Sequence, residues 1–253
     1  MEMRDIDLYT KEYDSLPFEA IQVGYRRKKV LEQVVKYNHQ KLLEVGCGLE
    51  PLFAYFEDFS EMTIVEPSSE FVGVAQNMIK EKICDEKKHV DIISGFIEEK
   101  CDIIRDKQYD MIIVSSLLHE LENPKKILDT IYDLCSEDTV VHINVPNAKS
   151  LHRYLALEMG LIDSIYEKSN QQIKLNQQNT YDIDMLISLV EESGFSVIEK
   201  GAYFPKFFTH KQMQTLIDAN FINQEILDGL FGMSKYLGDY GSEIYVDVVK
   251  RKV

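Results

Sequence analysis

Positive charge is scarce in this chain. Its 253 residues hold 28 Lys and Arg against 43 Asp and Glu, a formal charge of −15. That balance argues against non-specific attraction to DNA, RNA or an anionic membrane. It leaves room for a local basic pocket that holds a small anion. No apolar run reaches the roughly 20 residues that cross a bilayer. Nor does an apolar stretch follow residues 1–5, as a secretion signal would require. The expectation is a cytoplasmic protein that binds neither nucleic acid nor membrane. Only four cysteines occur, Cys47, Cys84, Cys101 and Cys135, and none forms a Cys-x-x-Cys pair. This excludes a disulfide framework and a cysteine zinc site, so no metal is expected. What the chain does have is apolar mass: it is 45% hydrophobic, enough for a full core.

Strand-like runs alternate with helical patterns, which predicts a parallel sheet. Strands are expected at 42–45, 63–66, 90–94, 111–115 and 140–145. All are rich in Val, Ile and Leu without clean alternation, as strands buried on both faces should be. Helices are expected at 68–80 and 124–135, the second opening on Pro124 with Ile127, Leu128, Ile131 and Leu134 on one face. Further helices are expected at 8–13, 25–37, 148–160, 183–193 and 211–236, and late strands at 196–199 and 243–249. Residues 169–179 are polar and glutamine-rich, a loop or lid. The chain reads as one domain over 1–253. Residues 1–40 form a helical cap, 41–146 the cofactor-binding core and 147–181 a substrate insertion or lid. Residues 182–253 complete the sheet around a helical insertion at 204–240.

Chemistry enters at Leu43-Glu44-Val45-Gly46-Cys47-Gly48, where an apolar strand runs into two glycines. Glycine lets a ligand approach the backbone and takes positive φ at little cost. Glu66 ends the next strand, where carboxylates accept hydrogen bonds from ribose hydroxyls. A nucleoside-bearing cofactor follows. In Gly46-Cys47-Gly48-Leu49-Glu50-Pro51, proline replaces the third glycine of a dinucleotide turn and Glu50 opposes a diphosphate. A cofactor with an ammonium and a sulfonium meets no such objection. Cys47 reads as a small side chain that fits the turn.

These residues resemble motif I of the class I S-adenosylmethionine-dependent methyltransferases. Glu66-Pro67-Ser68 is similar to their acidic post-strand motif, and Ser94-Gly95-Phe96-Ile97-Glu98 falls where their adenine-contacting segment does. The run from Tyr109 to Glu120 resembles their fourth-strand motif. The resemblance implies an α/β Rossmann-like seven-stranded methyltransferase sheet, order 3-2-1-4-5-7-6 with strand 7 antiparallel. An N-terminal helical cap and an insertion after strand 5 complete it. The resemblance also implies S-adenosyl-L-methionine as cofactor. Glu44, Gly46, Cys47 and Gly48 would line its methionine part and Glu66 would take the ribose. Pro67, Phe96 and Ile97 would flank adenine, and Ser115 would border the site from the fourth strand. Phe96 is a departure, because many relatives have an acidic residue there.

Acceptor groups are expected after strands four and five, since ligands sit at the carboxyl ends of parallel strands. His119 falls near the reacting methyl and is read either as a general base or as an orienting group. His142 and Asn144 share one strand face, followed by Asn147, His152 and Arg153. Lys206 and His210, with Arg26 and Arg27, would complete a basic pocket, so the substrate is expected to be a small anionic molecule. Tyr9, Tyr13 and Tyr25 could close over it or pack the cap on the sheet. The whole-chain pattern, with Asn144–Ala148, Ser150–Arg153, Met159–Ile162, Gly194-Phe195 and the Lys206/His210 segment, resembles bacterial methyltransferases of capsule and surface-polysaccharide synthesis. O-methylation of a phosphorylated or carboxylated metabolite or sugar precursor is the leading reading. N-methylation of an amino sugar or amino acid derivative, and a catalytically silent binding subunit, are its rivals. A homodimer is compatible with the sequence.

Overall fold

The computed structural model of the chain describes residues 17–83, 87–169, 172–173 and 175–252. The expected helix at 8–13, and with it Tyr9 and Tyr13, lies outside the described residues. Seven strands form one sheet in the order β3-β2-β1-β4-β5-β7-β6. They are β1 (Lys41–Val45), β2 (Glu61–Glu66), β3 (His89–Ser94), β4 (Met111–Ser115), β5 (Val140–Pro146), β6 (Phe195–Tyr203) and β7 (Glu243–Lys250). The first five run parallel, and β7 pairs antiparallel with both β5 and β6. The order expected from the sequence is the order found.

Alternate residues of each strand enter opposite cores. Leu43, Ile112 and Ile143 face one side, where they meet α3 (Ile97–Ile104), α4 (Pro124–Leu134) and α6 (Ile183–Glu192). Leu42, Ile64 and Ile113 face the other, under α1 (Glu19–Tyr37) and α2 (Ser69–Lys82). A third, aromatic cluster joins Phe18 and Tyr25 to Phe204, Tyr245 and the helices α7 (His210–Asp218) and α8 (Gln224–Gly232). Tyr25 stacks on Phe204 and its hydroxyl donates to Asp228 (3.0 Å), so it packs the cap and does not close over a site. Caps set the helix starts. Ser68 accepts from Phe71 N–H, Asn123 from Lys126 N–H and Asp182 from Met185 N–H.

Five elements differ from expectation: α1 starts at Glu19 and not at residue 25, α3 was not expected, and three others change for local reasons. α3 follows Phe96 directly, and its buried Ile97 and Ile104 anchor both ends. The helix expected at 148–160 is the shorter α5 (Leu151–Glu158). Asn147 holds the preceding turn by accepting from Lys149 N–H (2.9 Å), while Ala148 N–H bonds Tyr181 (2.7 Å). The helix expected at 211–236 breaks, because Asn220 is left-handed (φ 56°) and Asn223 caps α8. β6 runs nine residues, not four, across a bulge between Val197 and Glu199. Among the described residues no helix is long and apolar enough to cross a membrane.

Ile112 lies at the centre of the sheet with no exposed surface. Ile112→Ala should cost about 2–5 kcal/mol of stability, read from the shift of the urea midpoint at unchanged slope.

Candidate active site

The parallel register sets the site. Glu44 pairs with Ile113 across β1 and β4, so two residues on Gly46 stands beside Ser115. Gly46 (φ 78°) and Gly48 (φ 57°) take the conformation that favours glycine, and a Cβ added to either would meet nothing within 4 Å. The loop surface is therefore open. It borders a cavity of about 850 Å³, within the range of small-molecule sites. Of the residues expected around a cofactor, Glu44, Gly46, Cys47, Gly48, Glu66, Pro67, Phe96 and Ser115 line it. Ile97 does not: it is 3% exposed and points into the core with α3.

Glu66 is buried, and its carboxylate accepts from Ser68 N–H (2.8 Å) and Gly48 N–H (3.3 Å). Burial pushes it above the usual carboxylate range despite these bonds. Glu44 accepts from Leu52 N–H (3.0 Å), and burial raises it to about 8. Burial also pushes the Cys47 thiol up, with Glu44 and Glu66 adding to the effect, so no reactive thiolate stands here.

Sequence reasoning missed most of the wall formed by α1. Ala20, Val23 and Arg27 line the cavity on one helical stripe. Arg27 pairs with Glu50, and its guanidinium lies 3.5 Å from the centroid of the Tyr55 ring. Tyr55 donates to Glu50 in turn (2.9 Å). The Arg26-Arg27 doublet was the available signal, but the tie to Glu50 was not legible. Opposite, Asn176 and Gln178 bring the polar loop to the cavity.

The expected basic lining is corrected. Among the described residues eight glutamates line the cavity, against Arg26, Arg27 and Lys126. Most of the basic groups stand one layer behind, in a buried network that joins distant parts of the chain. Arg26 Nε lies 3.0 Å from both Glu243 oxygens and its Nη2 lies 2.7 Å from one of them. Gln22 donates to Glu243 (2.9 Å) and accepts from Lys206 (3.3 Å). Glu19 approaches Arg26 (3.6 Å) and His210 Nδ1 (3.4 Å). Lys206 is 2% exposed, and burial lowers it to about 8. Burial, with the charge of Lys206, holds His152 and His210 well below the ordinary imidazole range. Among the described residues the buried Nδ1 of His152 has no hydrogen-bond partner.

Other expected acceptor residues do structural work. His142 and Asn144 have no exposed surface and bond within the sheet. Asn147 clips its turn to the carbonyls of Asp239 (2.7 Å) and Gly241 (2.8 Å). Arg153 binds the carbonyls of Ile165 and Glu167 and the Gln172 amide, which ties down the polar loop. Tyr13 lies outside the described residues. His119 is 3% exposed and is not part of the cavity lining, although Ser116, Leu117 and Glu120 are. Its backbone carbonyl accepts from Gln178 N–H (2.9 Å) and Asn179 N–H (3.0 Å), so its place is under the loop.

Residues 22–200 match the family described as a methyltransferase domain. The chain belongs to that family. A comparison with curated proteins finds no match. Among solved structures, the methyltransferase resembles the plantazolicin methyltransferase BamL, determined with a triazolic desmethylPZN analog and SAH. The two share 16% identity at TM-score 0.60, over 97% of this chain and 91% of that one. It resembles magnesium protoporphyrin IX methyltransferase from Synechocystis PCC 6803, determined with bound SAH. There the identity is 11% and the TM-score 0.58, over 99% and 90% of the two chains. The [4+2]-cyclase SpnF is similar as well, at 13% identity and TM-score 0.57, over 90% and 80%. At these identities the likeness is one of fold.

The two imidazoles make the methyltransferase sensitive to acid. Their folded pKa values lie below the ordinary 6.5, so below that pH the unfolded chain binds more protons. Their contribution is complete above pH 6.5 and is lost as pH falls. Glu44 and Glu66, raised in the fold, act with the opposite sign over the same interval. A His152→Gln/His210→Gln variant should therefore lose less stability than the parent between pH 6.5 and 5.5, measured by urea denaturation.

Proposed function

We propose that this methyltransferase uses S-adenosyl-L-methionine and methylates an oxygen of a small, anionic acceptor. The open glycine cradle between Glu44 and Glu66, beside Ser115, is the observation that supports the cofactor. Glu66 would accept from ribose hydroxyls, its carboxylate already fixed by two backbone N–H groups. Arg27 brings a charge opposite to an amino acid's carboxylate, and Glu44, raised to about 8 in the free site, would ionise beside the ammonium. When bound, the cofactor supplies an electrophilic methyl group on a sulfonium. The chain's own task is to align the acceptor oxygen and keep water out. With His119 outside the cavity lining, no histidine base is assigned, and an anionic oxygen needs none.

Support for the anion comes from the network behind Arg26. A buried ammonium whose only hydrogen bond among the described residues goes to an amide oxygen is costly, and so is an unpaired imidazole nitrogen. A carboxylate or phosphate oxygen would satisfy Lys206 and, with an imidazole N–H, His152. The glutamate-rich lining does not oppose this, because most of its charge is engaged. Glu50 pairs with Arg27, Glu19 lies beside Arg26 and His210, Glu98 is 3.9 Å from Lys126, and Glu44 and Glu66 accept backbone N–H groups. A surface-polysaccharide precursor stays within this class on motif likeness alone.

Glu66→Ala should weaken S-adenosylhomocysteine binding at least tenfold by calorimetry; an unchanged affinity would refute the cofactor assignment. In a turnover screen with labelled methyl donor, phosphorylated, carboxylated and nucleotide-linked acceptors should be methylated. Lys206→Ala should lower kcat/KM on the active acceptor about a hundredfold. Turnover confined to neutral or amine acceptors would sink the anionic reading.

A further inference from the structure

A buried chain of polar side chains crosses the sheet and ends at the cavity. Ser115 pairs with Asn144 across β4 and β5, and His142 with Asp247 across β5 and β7. His142 and Asn144 lie two residues apart, so they share a face. Asn144 Oδ1 accepts from Ser116 N–H (3.1 Å), and Ser115 Oγ lies 3.2 Å from Oδ1 and 3.1 Å from Nδ2. Asn144 Nδ2 lies 3.2 Å from His142 Nε2, and His142 Nδ1 lies 2.6 Å from Asp247 Oδ1. Tyr37 donates to the other Asp247 oxygen (3.2 Å). His142, Asn144 and Asp247 have no exposed surface.

One backbone group orients the Asn144 amide. Ser116 N–H can only donate; it is shared between the Asn144 backbone carbonyl (2.9 Å) and the side-chain atom 3.1 Å away, so that side-chain atom is oxygen. The atom facing His142 is then the NH₂ donor, so His142 Nε2 accepts. Its proton must sit on Nδ1, directed at Asp247. The side-chain bond acts on the backbone together with the bond to the Asn144 carbonyl. Ser116 has φ 54°, a conformation disfavoured for residues with a Cβ, and it lines the cavity directly after Ser115.

We propose that His142, Asn144 and Asp247 are positioning residues: through one fixed tautomer they hold Ser116 left-handed and Ser115 against the cofactor beside Gly46. The inference rests on the methyl-transfer reading. His142 reaches the cavity only through Asn144, which explains why a histidine sits in the sheet interior without touching ligand.

Two measurements test this. In protein labelled with ¹⁵N-histidine, the His142 ring should show Nδ1 protonated and Nε2 bare at neutral pH, in the free state. The other tautomer, or an imidazolium, overturns the proposal, and this readout needs no variant. Asn144→Ala should weaken S-adenosylhomocysteine binding about tenfold at a temperature where it is fully folded. Adding Ser116→Gly, which takes φ 54° without strain, should bring the affinity to within about threefold of that of Ser116→Gly alone. Parental affinity in Asn144→Ala, or a double variant as weak as the single, assigns the chain to stability alone. If the parent itself fails to bind S-adenosylhomocysteine, the methyl-transfer reading falls while the tautomer stands on its own.

Discussion

β1 and β4 lie side by side, but the chain leaves them in opposite directions. From β1 it turns toward β2, and from β4 toward β5, so the two following loops diverge. The crevice between them is a consequence of strand order. Gly46 and Ser115 meet at its floor because the register of β1 and β4 places them level. Glu66 joins from β2, where Val45 pairs with Val65 one residue earlier. Strands buried on both faces make this floor stiff. The glycine loop needs only the left-handed backbone of Gly46 and Gly48 to stay open.

A single helix closes the crevice and also governs what lies behind it. α1 has two working stripes. Ala20, Val23, Arg27 and Val30 recur at helical spacing on the cavity side. Gln22 and Arg26 turn toward Glu243 at the start of β7, and Tyr37 reaches Asp247 on the same strand. The Arg26–Glu243 contact is a buried, charge-assisted fork, and desolvation offsets much of its attraction. Its value is geometric: it fixes how α1 rests on the antiparallel edge of the sheet. The cavity wall and the basic network are thereby set by one docking event.

The sequence displayed the sheet well and the acceptor side poorly, for a physical reason. Apolar strands and glycine turns are local patterns, and six of seven strands were legible to within two residues, β6 being the exception. Side-chain partners are not local. His142 looked like a ligand group because its strand pattern exposed no partner; the partner, Asp247, lies 105 residues on and is met only through the β5–β7 register. Asn147 and Arg153 looked like donors to a substrate, and they are donors to backbone carbonyls of distant loops. Ile97 belonged to a motif by position and to the core by helical phase. The convergence of Arg26, His152, Lys206 and His210 was visible only as residue type, four basic or titratable side chains spread along the chain. Its arrangement behind the cavity required β6, β7 and α1 to be in place.

The histidines show how partner accounting separates structure from function. His142 is fully buried and His152 partly so, with its Nδ1 out of contact with solvent. His142 has a partner at each ring nitrogen, 2.6 Å and 3.2 Å away, so its tautomer is fixed and nothing is left for a ligand. Among the described residues His152 keeps a buried nitrogen unpaired, near a buried lysine with one hydrogen bond. An unpaired buried polar atom costs free energy that folding would ordinarily remove by rotation or substitution. Here the cost falls one layer behind the cavity wall formed by Glu19 and Arg26. Distance from the glycine loop says less about function than this difference in pairing does.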